Sequence, residues 1–128
     1  ASGSIVRDIA FANFADTAIR LANNTGTSIT GVVVRDSGTG LTVNGTSTGT
    51  TVRSSSFNRN ATGIRLNSAT GVTIGGSAAG QGNTIANASQ QGVFAQGFCT
   101  NSRLVKNSFP GTRTPYNVKL SRNLTIVK

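Results

Sequence analysis

Histidine, tryptophan, methionine and glutamate are absent from this 128-residue chain. Without histidine, imidazole acid–base catalysis and histidine-ligated metal are excluded. Cys99 is the one cysteine, so no intrachain disulfide and no Cys–His dyad can form. It reads as a small buried hydrophobe or as an intermolecular link. The one tyrosine, Tyr116, has no acidic or histidine neighbour in sequence to make it a base, and reads as packing at an edge. No run approaches the roughly 18 apolar residues of a membrane span. With glutamate missing and alanine mostly isolated, long helices have little to be made from. No signal peptide is visible, and Ala1-Ser2-Gly3-Ser4 opens the chain without methionine, which fits a processed or excised protein.

What is abundant is glycine (16 residues), asparagine, serine and threonine, with 36% hydrophobic residues, mostly aliphatic. That apolar share is too high for an ordinary disordered chain. The formal charge is +9, from 12 Lys+Arg against three Asp. Such an imbalance favours polyanions: acidic polysaccharide, an anionic cell surface or nucleic acid. It also serves simple solubility.

Periodicity organises the rest. The segments Ala18–Leu21, Gly40–Val43, Gly63–Leu66, Gly92–Ala95 and Asn117–Leu120 stack by eye. Their anchors Ile19, Leu41, Ile64, Val93 and Val118 are spaced by 22, 23, 29 and 25 residues. Each segment alternates in and out, as a half-buried strand does. A second apolar row follows at Ile29, Val52, Ile74, Leu104 and Ile126. A third precedes at Phe11, Val34, Phe57, Ile85 and Phe109. Three short apolar strands per repeat predict an all-β, three-sided parallel solenoid, a single-stranded β-helix of about five coils. The chain then forms one domain over residues 1–128, whole or as a fragment of a longer solenoid. A sandwich would not keep such a register, and a leucine-rich repeat would need its leucines and a helix.

Smaller features fit the same register. The residues before the anchors, Ala18, Gly40, Gly63, Gly92 and Asn117, are small or tolerant of positive φ. Asn13, Asn58 and Asn87, in a row with Arg35 and Thr112, predict a partial asparagine ladder. The 29-residue spacing places an extruded loop at Gly75–Asn83.

The segment Val72 to Phe94 carries Ile74-Gly75-Gly76, Gly82-Asn83-Thr84-Ile85 and Gly92-Val93. It resembles the repeat unit of right-handed parallel β-helix proteins, the pectate-lyase-like repeat family. The resemblance implies a right-handed coil and a secreted, extracellular or particle-surface setting. It implies no single activity, because the family includes lyases, hydrolases, epimerases, tailspikes and adhesins.

Lyases and hydrolases of that kind resemble one another in using clustered carboxylates. Here Asp8, Asp16 and Asp36 fall at different repeat offsets. A pair of Asp16 with Asp36 is conceivable; surface turns or ion pairs with Arg7 or Arg35 are the simpler reading. Val-Arg-Asp occurs twice, at Val6–Asp8 and Val34–Asp36, at unrelated offsets. The glycine-rich loop lacks the Lys-Ser/Thr of a phosphate loop. No catalytic residue, cofactor or metal site is assigned.

The outward residues after the anchors are Arg20, Thr42, Arg65, Phe94 and Lys119. In register they form a column on one sheet face, with Arg20 and Arg65 roughly 10 Å apart. Arginine holds carboxylate or sulfate bidentately, and Phe94 offers a ring for a sugar to stack on. Arg20, Arg65, Phe94 and Lys119 are therefore the expected glycan or polyanion contacts. The plainer reading is that exposed strands tolerate such residues and that their charge discourages aggregation. Nucleic acid is disfavoured by the scarcity of aromatic platforms. Five N-x-Ser/Thr sequons, at Asn23, Asn44, Asn60, Asn87 and Asn123, are near chance in so Ser/Thr-rich a chain.

Solenoid ends expose strand edges, and no capping helix is visible, so end-to-end or trimeric self-association is a second role. The expected function is a non-catalytic structural or binding module. The alternative is a fragment of a polysaccharide lyase, hydrolase or epimerase.

Overall fold

The computed structural model describes residues 3–45, 47–97, 99–119 and 123–128. It is all-β, with no helix among these residues. The first coil holds β1 (Ile5–Arg7), β2 (Ala10–Ala12) and β3 (Thr17–Leu21). The second holds β4 (Ser28–Thr30), β5 (Val33–Arg35) and β6 (Thr39–Asn44). The third holds β7 (Thr51–Arg53), β8 (Ser56–Asn58) and β9 (Thr62–Asn67). The fourth holds β10 (Thr73–Gly75), β11 (Thr84–Ala86) and β12 (Gln91–Gln96). Then come β13 (Arg103–Val105), β14 (Tyr116–Val118) and β15 (Thr125–Val127). Every described pairing joins one coil to the next in parallel.

Three sheets result, in the orders β1-β4-β7-β10-β13-β15, β11-β8-β5-β2 and β14-β12-β9-β6-β3. A bridge from Thr84 to Ser108 carries the second sheet one coil further. This is the β-solenoid of about five turns that the repeat predicts. The second row is one column, extended at its start by Val6: Val6, Ile29, Val52, Ile74, Leu104 and Ile126. The third row is another, through Phe11, Val34, Phe57 and Ile85. Ile29, Val52, Phe57, Ile64, Ile74, Ile85 and Leu104 are completely buried. Burial of side chains of this size stabilises by about 1.5–3 kcal/mol each. No coil could bury them alone, so the stack is the unit that folds.

The anchor column departs from expectation at its fifth member. Ile19, Leu41, Ile64 and Val93 align, and the next residue is Tyr116, not Val118. Val118 pairs with Ala95, one inward position later. Tyr116 takes the anchor place because its ring packs edge-on against Phe109, 4.7 Å between centroids. Burial pushes its phenol above the ordinary value, and a hydrogen bond with Asn107 pulls the other way. Leu120, the last residue of that segment, lies outside the described residues.

The small row before the anchors has a different cause from positive φ. Gly40, Gly63 and Gly92 are absent from the left-handed positions. A Cβ on them would lie 2.6 Å from Phe57, 2.5 Å from Ile85 and 2.6 Å from Phe109 respectively. Each glycine thus makes room for the third-row side chain of the following coil. Left-handed residues sit at the corners instead: Asn13, Asp36, Arg59 and Asn87 have φ of 66°, 55°, 55° and 53°.

The asparagine row mixes two columns. Arg35 and Asn58 pair in the sheet, one residue before the left-handed Asn13 and Asn87 corner. Asn87 and Asn58 do share an amide bond of 3.0 Å. The main polar ladders lie beside the strands, where each coil caps the corner N–H of the coil before it. Val32 N–H donates to Ser55 Oγ (3.2 Å), Ser55 N–H to Asn83 Oδ1 (3.0 Å) and Asn83 N–H to Asn107 Oδ1 (3.0 Å). Phe14 and Ser37 donate likewise to Ser37 Oγ and Asn60 Oδ1. Buried corner amides need such partners. The extra residues between β10 and β11 form the expected loop, tied down by Ser54 Oγ donating to Gly80 O (2.6 Å).

Candidate polyanion-binding face

The sheet β14-β12-β9-β6-β3 contains the longest strands, up to six residues. Its length follows from alternation sustained over two inward positions per strand, as in Leu41 and Val43 or Ile64 and Leu66, all fully buried. Between these inward residues one outward column runs Arg20, Thr42, Arg65, Phe94 and Asn117. The fifth place belongs to Asn117 because Tyr116 is the anchor. Lys119 belongs one outward position further on, with its N–H bonded to Ala95 O.

Three of the four expected contact residues nevertheless come together. Arg65 Cζ lies 5.6 Å from the Phe94 ring centroid, and Lys119 Nζ lies 5.8 Å from it. The ring's electron-rich faces attract both cations. Arg65 Nε is enclosed and makes no hydrogen bond. Phe94 is half-buried beneath these groups, so what the cluster presents outward is positive charge held over an aromatic base. Arg20 stands apart, two coils from Arg65. It pairs with Asp16 at 3.4 Å on an exposed edge, and Thr42, 5% exposed, lies between the two arginines in the column.

The three carboxylates are spread over separate corners. Asp36 accepts from Arg35 (2.8 Å) and from Arg59 at 2.7 and 3.0 Å. The Arg59 hydrogen bond foremost holds its carboxyl down at about 2. Asp16 faces Arg20. Asp8 lies against Gly31, where a Cβ would meet its carboxylate at 2.6 Å. The repeated Val-Arg-Asp has a local sense: Asp8 and Asp36 are each the left-handed corner residue directly after a strand, with φ of 54° and 55°. The structure does not bring Asp16 and Asp36 to one site.

Among the described residues no three His, Cys, Asp or Glu side chains gather as a metal site. Cys99 is fully buried, with Sγ 3.4 Å from Gln96 O and 3.6 Å from Leu66 O. Among the described residues no helix is long and apolar enough to cross a membrane. Of the sequon residues, Asn60 is 2% exposed and spends both amide atoms on Ser37 N and Val34 O; Asn23, Asn87 and Asn123 are exposed.

Sequence reasoning missed Asn117 as the column's last member and the side group of amides Asn44, Asn67 and Gln96 that flanks it. These are chained by bonds of 3.2 and 2.5 Å. The signal was present, since Asn44, Asn67 and Gln96 each directly follow an inward residue, Val43, Leu66 and Ala95. Comparison with family models, curated proteins and solved structures finds no match to this chain.

Proposed function

We propose that this protein is a non-catalytic architectural module that contacts an acidic polysaccharide or similar polyanion through Arg65, Lys119 and Arg20, with Phe94 as the base on which two of these cations rest. One observation carries the reading: two cations converge on one ring on the outward face of a parallel sheet, while Asp36 pairs with Arg35 and Arg59 and Asp16 with Arg20. Guanidinium binds sulfate or carboxylate in a planar fork. A solenoid repeats such groups along its axis at multiples of about 4.8 Å, a scale that suits an extended polymer. A secreted or surface-displayed setting belongs to this proposal, as does kinship with pectate-lyase-like repeats through the segment Val72 to Phe94.

The alternative, a lyase, hydrolase or epimerase fragment, lacks the paired carboxylates its chemistry needs, since Asp36 is committed to Arg59. Incubation with pectin, alginate and sulfated glycans, followed for new reducing or unsaturated ends, separates the two; turnover would replace this reading.

The direct test is calorimetric titration with heparin-like and polyuronate oligosaccharides. Arg65→Ala with Lys119→Ala is expected to weaken binding at least about tenfold, the scale of two charge-assisted contacts. Arg103→Ala with Lys106→Ala removes the same charge elsewhere and is expected to cost much less. Equal losses from both pairs would reduce the site to a non-specific effect of net charge.

A further inference from the structure

The charges on the candidate face fall on alternate coils. Along the sheet, β3 carries Arg20, β9 carries Arg65, and Lys119 directly follows β14. The strands between them, β6 and β12, carry no charged residue, and no strand of this sheet carries an acid. On this face the first, third and fifth coils therefore each supply a cation. The second and fourth coils place Thr42 and Phe94 in the column instead.

The neighbouring rows are uncharged up to the fifth coil. On one side Thr39 and Thr62 are buried, so that row is closed to a ligand. On the other side Asn44, Asn67 and Gln96 are half-buried and aligned, and Lys119 takes the next place in their row. Asn67 Nδ2 donates to Asn44 Oδ1, and Gln96 Nε2 to Asn67 Oδ1. Each nitrogen so used keeps a second hydrogen, which suits an uncharged acceptor such as a sugar hydroxyl or acetamido oxygen. Phe94 braces the two cations that rise from the coils on either side of it. Arg20 touches Asp16 at 3.4 Å through one nitrogen, with both side chains exposed. Such a contact is weak and leaves the remaining donors of the guanidinium fork to a ligand.

Two coils rise about 9.6 Å, close to the length of one disaccharide in an extended chain. From this spacing we infer that the ligand is a polymer lying along the solenoid axis with one acidic group per disaccharide, acidic and uncharged sugars in strict alternation, not a uniform polyuronate. The inference rests on the polyanion reading of this face and names the class of polymer within it. Acidic sugars lie over the first, third and fifth coils, where Arg20, Arg65 and Lys119 meet them. Uncharged sugars lie over Thr42 and Phe94, beside the amides of Asn44 and Gln96. A uniform polyuronate in the same track lays every second carboxylate over a coil that offers no cation on this face. There it gives up water without gaining a partner.

Calorimetric titration of the native chain with two hexasaccharides tests the inference. One alternates glucuronate with N-acetylglucosamine; the other is galacturonate throughout. The uniform oligomer has twice the acidic groups, so attraction by net charge alone makes it the tighter ligand. The expected result is the reverse, with the alternating oligomer at least about threefold tighter. Asn44→Lys then puts on the second coil a lysine in the row that Lys119 occupies on the fifth. It is expected to move the ratio of the two affinities toward the uniform oligomer by at least about threefold. Thr84→Lys adds the same charge at an exposed position of another sheet and is expected to leave the ratio as it is. Circular dichroism checks that both variants keep the fold, and the native comparison decides without them. A native chain that prefers the uniform oligomer, a ratio unmoved by Asn44→Lys, or one moved equally by Thr84→Lys would overturn the inference while the polyanion reading stands. A native chain that binds neither oligomer would overturn both.

Discussion

Replacement of Asn83 by alanine tests the corner ladder most sharply. Asn83 is 1% exposed and works in three directions. Its Oδ1 accepts the buried Ser55 N–H at 3.0 Å, and its Nδ2 donates to Val52 O and Asn107 Oδ1, each at 3.0 Å. Alanine strands the Ser55 amide, at about 1–3 kcal/mol, and removes two donor contacts worth about 0.5–1.5 kcal/mol net each. A loss of about 3 kcal/mol follows. Serine supplies an internal comparison, because one coil earlier Ser55 Oγ already serves the same purpose for Val32 N–H at 3.2 Å. Asn83→Ser should therefore recover about half of the loss. Urea unfolding at constant m reads both values, and hydrogen exchange at the Ser55 amide locates the effect. A loss below about 1 kcal/mol for Asn83→Ala, or serine no better than alanine, would refute the assignment of the ladder as a structural necessity.

Gly63→Ala is expected to cost about 2–3 kcal/mol by overpacking, because its Cβ would lie 2.5 Å from Ile85 Cγ2 and 2.7 Å from Gly92 O; a thermal melt checks this, and a neutral change would mean the coils can separate at that corner. Asp36 should titrate near pH 2 by carbon-detected NMR, against the usual 3.8, and move back up in Arg59→Gln. Since its folded value is depressed, its contribution to stability is complete above about pH 4 and fades as the pH falls toward 2; a midpoint unmoved by Arg59→Gln would break the assigned cause. Cys99, fully buried, should resist thiol reagents in the native state and react once urea unfolds the chain; prompt native labelling would contradict its packing.

The sequence made the core columns legible because aliphatic residues recur at 22 to 29 residues whatever the corners between them do. It misplaced the fifth anchor by two because Tyr116 carries a polar hydroxyl, and a pattern of aliphatic residues favours Val118. For Gly40, Gly63 and Gly92 it left small size and positive φ as alternatives; small size is what the fold uses, for a side chain arriving from the next coil, and such a contact has no local trace. The polar ladders were offset for a related reason. Asn13 and Asn87 look alike in composition to Asn60 and Asn83, but the first two turn the chain and the latter two cap its amides. At the candidate face, Arg65 and Phe94 were legible as neighbours in one column. The convergence of Lys119 was reached from a wrong register, since its long side chain spans from the adjacent outward row back to the ring.

The measurement that bears most directly on the proposed role is a backbone and side-chain NMR titration with a short sulfated or uronic oligosaccharide of defined length. The expected result is a compact set of shifted resonances at Arg65, Phe94, Lys119 and Arg20, with the Phe94 ring protons among the largest. Shifts spread over Arg103, Lys106 and Arg113 instead, or none at saturating oligosaccharide, would contradict it.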